Sequence, residues 1–197
     1  MNRSNAPASP DQSGALLPLL GTDEGVVAFF AGVADLDATD PTPYELEDGV
    51  RLASGARLEQ FARAGSGDAF CFAGEGGEER PVVYVSLEGE AGLIALGLPE
   101  LVRLCLVAPW WRDAPRRTAD ELRTVAGDYR HNLPDLDQRR DRAAQALGLD
   151  PAGLPSEATA LARLTELTQG PEAASCLVLG HEGDPFTPLF GTAPAQP

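Results

Sequence analysis

Few side chains in this sequence stand at spacings that chemistry would use. The two histidines, His131 and His181, have no second His or Cys at helical ligand spacing, and Cys71, Cys105 and Cys176 lie far apart in apolar stretches. Zinc ligation needs several such groups converging at short spacing, so no metal site and no cofactor is expected. Three scattered cysteines close no disulfide framework and read as buried thiols in a reducing, cytoplasmic setting. Ser66 sits in Gly65-Ser66-Gly67-Asp68, but Ala64 and Asp68 stand where a nucleophile elbow requires glycine. Gly74-Glu-Gly-Gly77 has the glycine content of a phosphate-cradling loop, yet acids follow it instead of a helix or a lysine.

The chemistry that remains is anionic. The 197 residues carry 30 acids against 15 basic side chains, all of them arginine, for a formal net charge of −15. The first hundred residues hold 17 of the acids and only 5 arginines, so the field is concentrated there. Such a surface repels phosphate backbones, which argues against nucleic acid, and attracts cationic proteins. Within it, Asp68, the loop acids Glu75, Glu78 and Glu79, and the turn acids Glu88 and Glu90 are candidate contacts for a basic partner. No D-x-[DN]-x-[DN]-G loop accompanies them, so a calcium site is not expected. Two carboxylates converging in a cleft would instead permit a hydrolase. Trp110 and Trp111 follow Pro109, and adjacent positions of a regular element cannot both face one core. Either both pack partly against neighbouring helices, or one is exposed as an aromatic anchor of the kind enriched at interfaces.

The elements that would position these residues are legible as periodicities. Val26, Phe29, Phe30 and Val33 fall at helical spacing, Asp40-Pro-Thr-Pro43 is a turn, and Ser54 is placed to cap a short helix carrying Leu58, Phe61 and Ala62. From Ala69 the period becomes two, with Phe70 and Phe72 on one side and Ala69, Cys71 and Ala73 on the other. A glycine-rich loop, a strand over 81–87, a turn at 88–90 and a strand over 92–96 complete an antiparallel meander. Pro99 opens an apolar helix. Thr118-x-x-Glu121 is a capping box for a second helix that Pro134 ends. Further helices span about 135–147, with Gly148 as cap, and 156–168, with Gly170 as cap, before a final hairpin from Ser175–Leu179 and Phe186–Phe190. Strands, then helices, then strands give an α+β class with an antiparallel sheet. A single domain is expected over 14–191, with a helical insertion at about 116–170 and flexible tails at 1–13 and 192–197. The first apolar run, Ala15 to Leu20, is too short for a secretory segment, and the longest uncharged one, Gly25 to Ala34, is half a membrane span.

The stretch from Leu58 to Trp111 resembles the SUKH superfamily. Phe61-x-x-x-Gly65-x-Gly67-Asp68-x-Phe70 carries the resemblance, followed by Pro81-Val-Val-Tyr84, Glu88-Gly89-Glu90, and Leu93 leading into Leu98 to Val107. The whole chain is similar to actinobacterial members of that group. The resemblance implies an α+β domain whose cleft binds another protein, in bacteria often a toxin that an immunity protein neutralises. The expectation is therefore a non-enzymatic binding module for a basic toxin domain. A scaffold or regulatory adaptor of the same fold is the alternative, and a carboxylate-dependent hydrolase is a further one.

Overall fold

The computed structural model describes residues 15–39 and 49–189; both expected tails, the 40–43 turn and Phe190 lie outside them. In chain order the elements are α1 (Leu16–Thr22), α2 (Glu24–Phe30), β1 (Arg51–Leu52), β2 (Leu58–Arg63), β3 (Ala69–Ala73), β4 (Val82–Val85) and β5 (Glu90–Ala95). These are followed by α3 (Leu98–Val107), a 3₁₀ turn over Trp111–Arg116, α4 (Ala119–Asn132), α5 (Leu136–Ala146), α6 (Glu157–Gln169), α7 (Pro171–Ser175), β6 (Val178–Leu179) and β7 (Thr187–Pro188). The class is α+β.

The main sheet has five strands in the order β2-β3-β4-β5-β7. Its first four form an antiparallel meander, of which β3, β4 and β5 were expected, with Phe70 opposite Tyr84 and Cys71 opposite Val83. β3 is buried on both faces, and its alternation sorts side chains by size. Phe70 and Phe72 point into the larger core with Phe61, Tyr84 and Ile94, beneath helices α1 to α6. Ala69, Cys71 and Ala73 face a smaller core closed by Leu52, Leu167 and Val178. Short side chains on that face let the two-stranded β1-β6 ribbon and α6 approach closely.

Three expectations are corrected. Residues 58–63 form strand β2, not a capped helix. Gln60 pairs with Cys71 and Ala62 with Phe70, so Phe61 is the extra residue of a β-bulge. A bulge turns two successive residues, Phe61 and Ala62, inward together, and with Leu58 this imitates the i, i+3, i+4 spacing of a helix. Gly170 caps α6 as expected, and in an extended conformation at φ −80° it is at the same time the N-cap of α7, whose first residue is Pro171. The final hairpin turns, with the Phe186 N–H donating to the Val178 carbonyl, but its arms part. β6 pairs with β1, while β7 runs parallel to β5 in the main sheet. Pro188 fits that edge position because it has no N–H to offer a further strand.

The third correction concerns the tryptophans, both of which are buried, Trp110 at 2% exposure and Trp111 at 0%. Trp110 stands in the turn after α3 and Trp111 opens the 3₁₀ segment, so no single regular element holds their side chains to opposite faces. Trp111 packs edge-on against Phe70 and Tyr84 of the sheet, and Trp110 lies 5.1 Å from Tyr129 of α4 between ring centroids. Neither is the exposed anchor that the sequence left open.

The helices of the 116–170 region share the main core: Leu136, Ala143 and Ala144 of α5 and Leu164 of α6 are buried there. The capping box of α4 is formed, with Thr118 Oγ1 accepting from the Glu121 N–H and Glu121 accepting from the Thr118 N–H. No helix among the described residues is long and apolar enough to cross a membrane.

Candidate functional site

Because β3 and β4 run in opposite directions, one end of the sheet gathers the start of β3, the end of β4 and the start of β5. Three turns meet there: residues 64–68, 86–90 and 109–113. Together with Tyr129 they line a polar cleft of about 430 Å³ that includes Asp68, Glu88, Glu90, Trp110, Arg112 and Asp113. Of the candidate residues, Asp68, Glu88, Glu90 and Trp110 are thus brought together, with Trp111 buried behind them. Glu75, Glu78 and Glu79 are not. They lie on the β3–β4 loop at the opposite end of the sheet, on the order of 15 Å away along a five-residue strand.

That opposite loop is built for structure. Glu78 accepts the N–H groups of Leu16 and Leu17 at 2.8 and 2.7 Å, capping α1, which has no side-chain cap of its own. Glu79 accepts from the Gly77 N–H, and its pKa is held low by hydrogen bonds to backbone N–H groups. Arg80, nearly buried, stacks over Phe72 and bonds Glu59 at 2.8 Å and the Gly74 and Gly77 carbonyls. The Arg80 hydrogen bond in turn lowers the pKa of Glu59.

In the cleft, Asp68 is the hub that locks two turns to the sheet. Its Oδ2 accepts from the Tyr84 hydroxyl and from Ser66 Oγ at 2.7 Å, and its Oδ1 accepts from the Leu87 N–H at 2.9 Å. Burial pulls the Asp68 pKa upward, but the hydrogen bonds from Tyr84, Ser66, Leu87 and Ser86 together outweigh it and hold the carboxyl below its usual range. Burial and the neighbouring carboxylate push the Tyr84 hydroxyl the other way, so it remains a donor. Asp68 is therefore an ionised positioning residue, poorly placed to deliver a proton.

A second clamp fixes the adjoining side. Asp35 adopts a left-handed φ of +52°, unusual for a residue with a side chain. Its Oδ1 accepts from the Gly65 N–H at 2.6 Å, while Oδ2 and the backbone carbonyl take Arg112 at 2.7 and 3.1 Å. Arg112 also lies over Trp111. The guanidinium of Arg112 is thus committed internally; of the cleft's other acids Glu88 is exposed, while Glu90 and Asp113 are half-buried and Asp113 lies 3.7 Å from Arg117. A second hollow of about 450 Å³, holding Asp35, Asp37 and Arg63, adjoins the first across the ridge made by Ser66 and Leu87.

That ridge carries the feature the sequence reading missed. Leu87 is 70% exposed, the most exposed large apolar side chain among the described residues. It rests on Gly67, where φ is +97° and an added Cβ would come within 2.9 Å of Leu87 Cδ1. The glycine thereby supports the leucine in its outward position. Tyr129, Asp113 and Asp35 were also overlooked, since each reaches the site from an element distant in sequence. Only the exposed leucine, an apolar residue just before the acidic turn at 88–90, was open to detection.

Burial disfavours the cysteines as nucleophiles: the pKa values of the Cys71 and Cys105 thiols are pushed up to about 12, and that of Cys176 is raised. Among the described residues no group of three or more His, Cys, Asp or Glu side chains converges as a metal site. The chain matches no protein-family model, no curated protein and no solved structure, so the geometry carries the functional reading.

Proposed function

We propose that this chain is a non-enzymatic protein-binding module of the SUKH type, an immunity-type protein that captures and neutralises a basic toxin domain. The observation that carries this reading is one end of the sheet, where the exposed Leu87 stands between two hollows beside the exposed Glu88 and the half-buried Glu90 and Asp113. An apolar knob ringed by like charge suits a partner with an apolar socket and a basic rim. The net charge of −15 extends the same complementarity over long range and speeds encounter at low salt. The ordered residues of the resemblance, Gly65, Gly67, Asp68, Tyr84, Glu88 and Glu90, all lie in the three turns and strands that build this end.

The test is capture with the intact chain as bait, at low and high salt, followed by expression of whatever basic domain is retained. The reading predicts one basic domain in stoichiometric amount, released by salt, that arrests growth when expressed alone and not when expressed with this chain. A retained partner that is neutral or acidic, or one harmless on its own, overturns the immunity reading and leaves an adaptor.

A further inference from the structure

On the far side of the main core, α3 and α6 do not close completely over β5. Between them lies a cavity of about 360 Å³ whose walls are Ile94, Leu104, Pro155, Ala160, Leu164 and Leu167. The short side chains Thr159 and Ala160 of α6 also line it. The volume is at the lower end of small-molecule sites and too small for a helix or a loop of another protein.

The mouth is charged, and its charges are unequal. Arg163 bonds Glu100 at 3.1 Å and Glu166 at 3.0 Å, so its charge is matched. Glu100 is doubly engaged, accepting the Leu96 N–H at 2.6 Å as well. Arg103 has no acid partner among the described residues; it donates only to the Pro99 carbonyl one turn back in its own helix, and it is exposed. On a chain with a net charge of −15, an uncompensated guanidinium at the lip of an apolar hollow is a local reversal of sign.

We propose that this cavity is a binding site for a small amphipathic carboxylate, its hydrocarbon body among Leu104, Leu164 and Leu167 and its anionic head on Arg103. Apolar burial supplies the affinity, and the guanidinium, which offers paired donors to a carboxylate, supplies the orientation. The site is remote from the turns that hold Leu87 and Asp68, so it stands independently of the partner-binding reading.

The experiment titrates the full ¹⁵N-labelled chain with sodium octanoate, with n-octanol as the neutral control. Saturable shifts confined to amides of α3, α6 and the end of β5 are expected, with a Kd on the order of 0.1–1 mM. Octanol and the surface variant Arg103→Gln should each bind about threefold to fivefold more weakly, the size of an exposed ion pair. Ala160→Leu, which fills the cavity, should abolish the shifts while its spectrum stays folded. An absence of saturable shifts up to 10-fold above that range, shifts elsewhere, or equal binding of octanol and octanoate overturns the proposal.

Discussion

Asp68 gathers donors from two turns and one strand, and this decides how the cleft end responds to acid. Its folded pKa lies below the unfolded value, so the stabilisation is fully present above the ordinary carboxylate value of about 3.9 and is lost as pH falls through the folded one. Asp68→Asn should lower unfolding free energy by about 1–3 kcal/mol at neutral pH and flatten its dependence on pH below the ordinary carboxylate value. Denaturant unfolding across that range measures both; an unchanged acid slope would mean the carboxylate is not the titrating group. Asp35 offers a contrasting case, because backbone strain and clamp coincide in one residue. Asp35→Asn retains a side chain tolerant of left-handed φ and an acceptor for the Gly65 N–H, and should cost about 1 kcal/mol. Asp35→Ala loses both and should cost about twice that. Equal losses in the two variants would show that only the charge on Arg112 counts.

At the scale of elements, α4 is the least anchored of the long helices, with Ala126 its only fully buried residue. Its capping box should therefore matter locally. Thr118→Ala is expected to remove about 1 kcal/mol from the helix, visible as faster amide exchange along 119–132 with little change in the global melting temperature. A drop in global stability of the same size would mean that α4 unfolds with the core. This helix also illustrates what the sequence makes legible: a local signal, Thr118-x-x-Glu121, specifies a local structure, and the two agree. The meander was equally readable, since Phe70 and Phe72 alternate with Ala69, Cys71 and Ala73 and short turns allow only antiparallel neighbours. β2 was not, because a bulge at Phe61 erases the alternation that marks a strand. Nor could the separation of β6 from β7 be read, because it is decided by β1 and β5, which lie far away in sequence. The site shared that difficulty. Asp68, Glu88 and Glu90 were found as charged residues near turns, but only the strand directions show that Glu78 and Glu79 belong to the opposite end.

Over the whole molecule, the acids divide into two populations with different work. At the loop end, Glu78 and Glu59 are consumed in holding α1 and Arg80, and their charge is spent within the fold. At the cleft end, Asp68 and Asp35 are consumed in the same way, while Glu88 is exposed and Asp113 half-buried beside Leu87. On the proposed reading, the net charge of −15 acts at both ends to steer encounter, and shape and the exposed leucine decide which end docks. Leu87→Asp should therefore weaken partner binding by at least tenfold through faster dissociation, with the association rate nearly unchanged, as surface plasmon resonance would resolve. The most direct measurement compares two double variants side by side against the captured basic domain at low and high salt: Glu88→Gln with Glu90→Gln at the cleft, and Glu75→Gln with Glu79→Gln at the opposite end. The two remove equal charge, so long-range steering falls equally in both. The account predicts that the cleft variant loses more affinity than the loop variant, the excess appearing as faster dissociation, and that its residual binding is less sensitive to salt. Equal losses from both, or a loss confined to the loop variant, would contradict the assignment of the cleft as the docking surface.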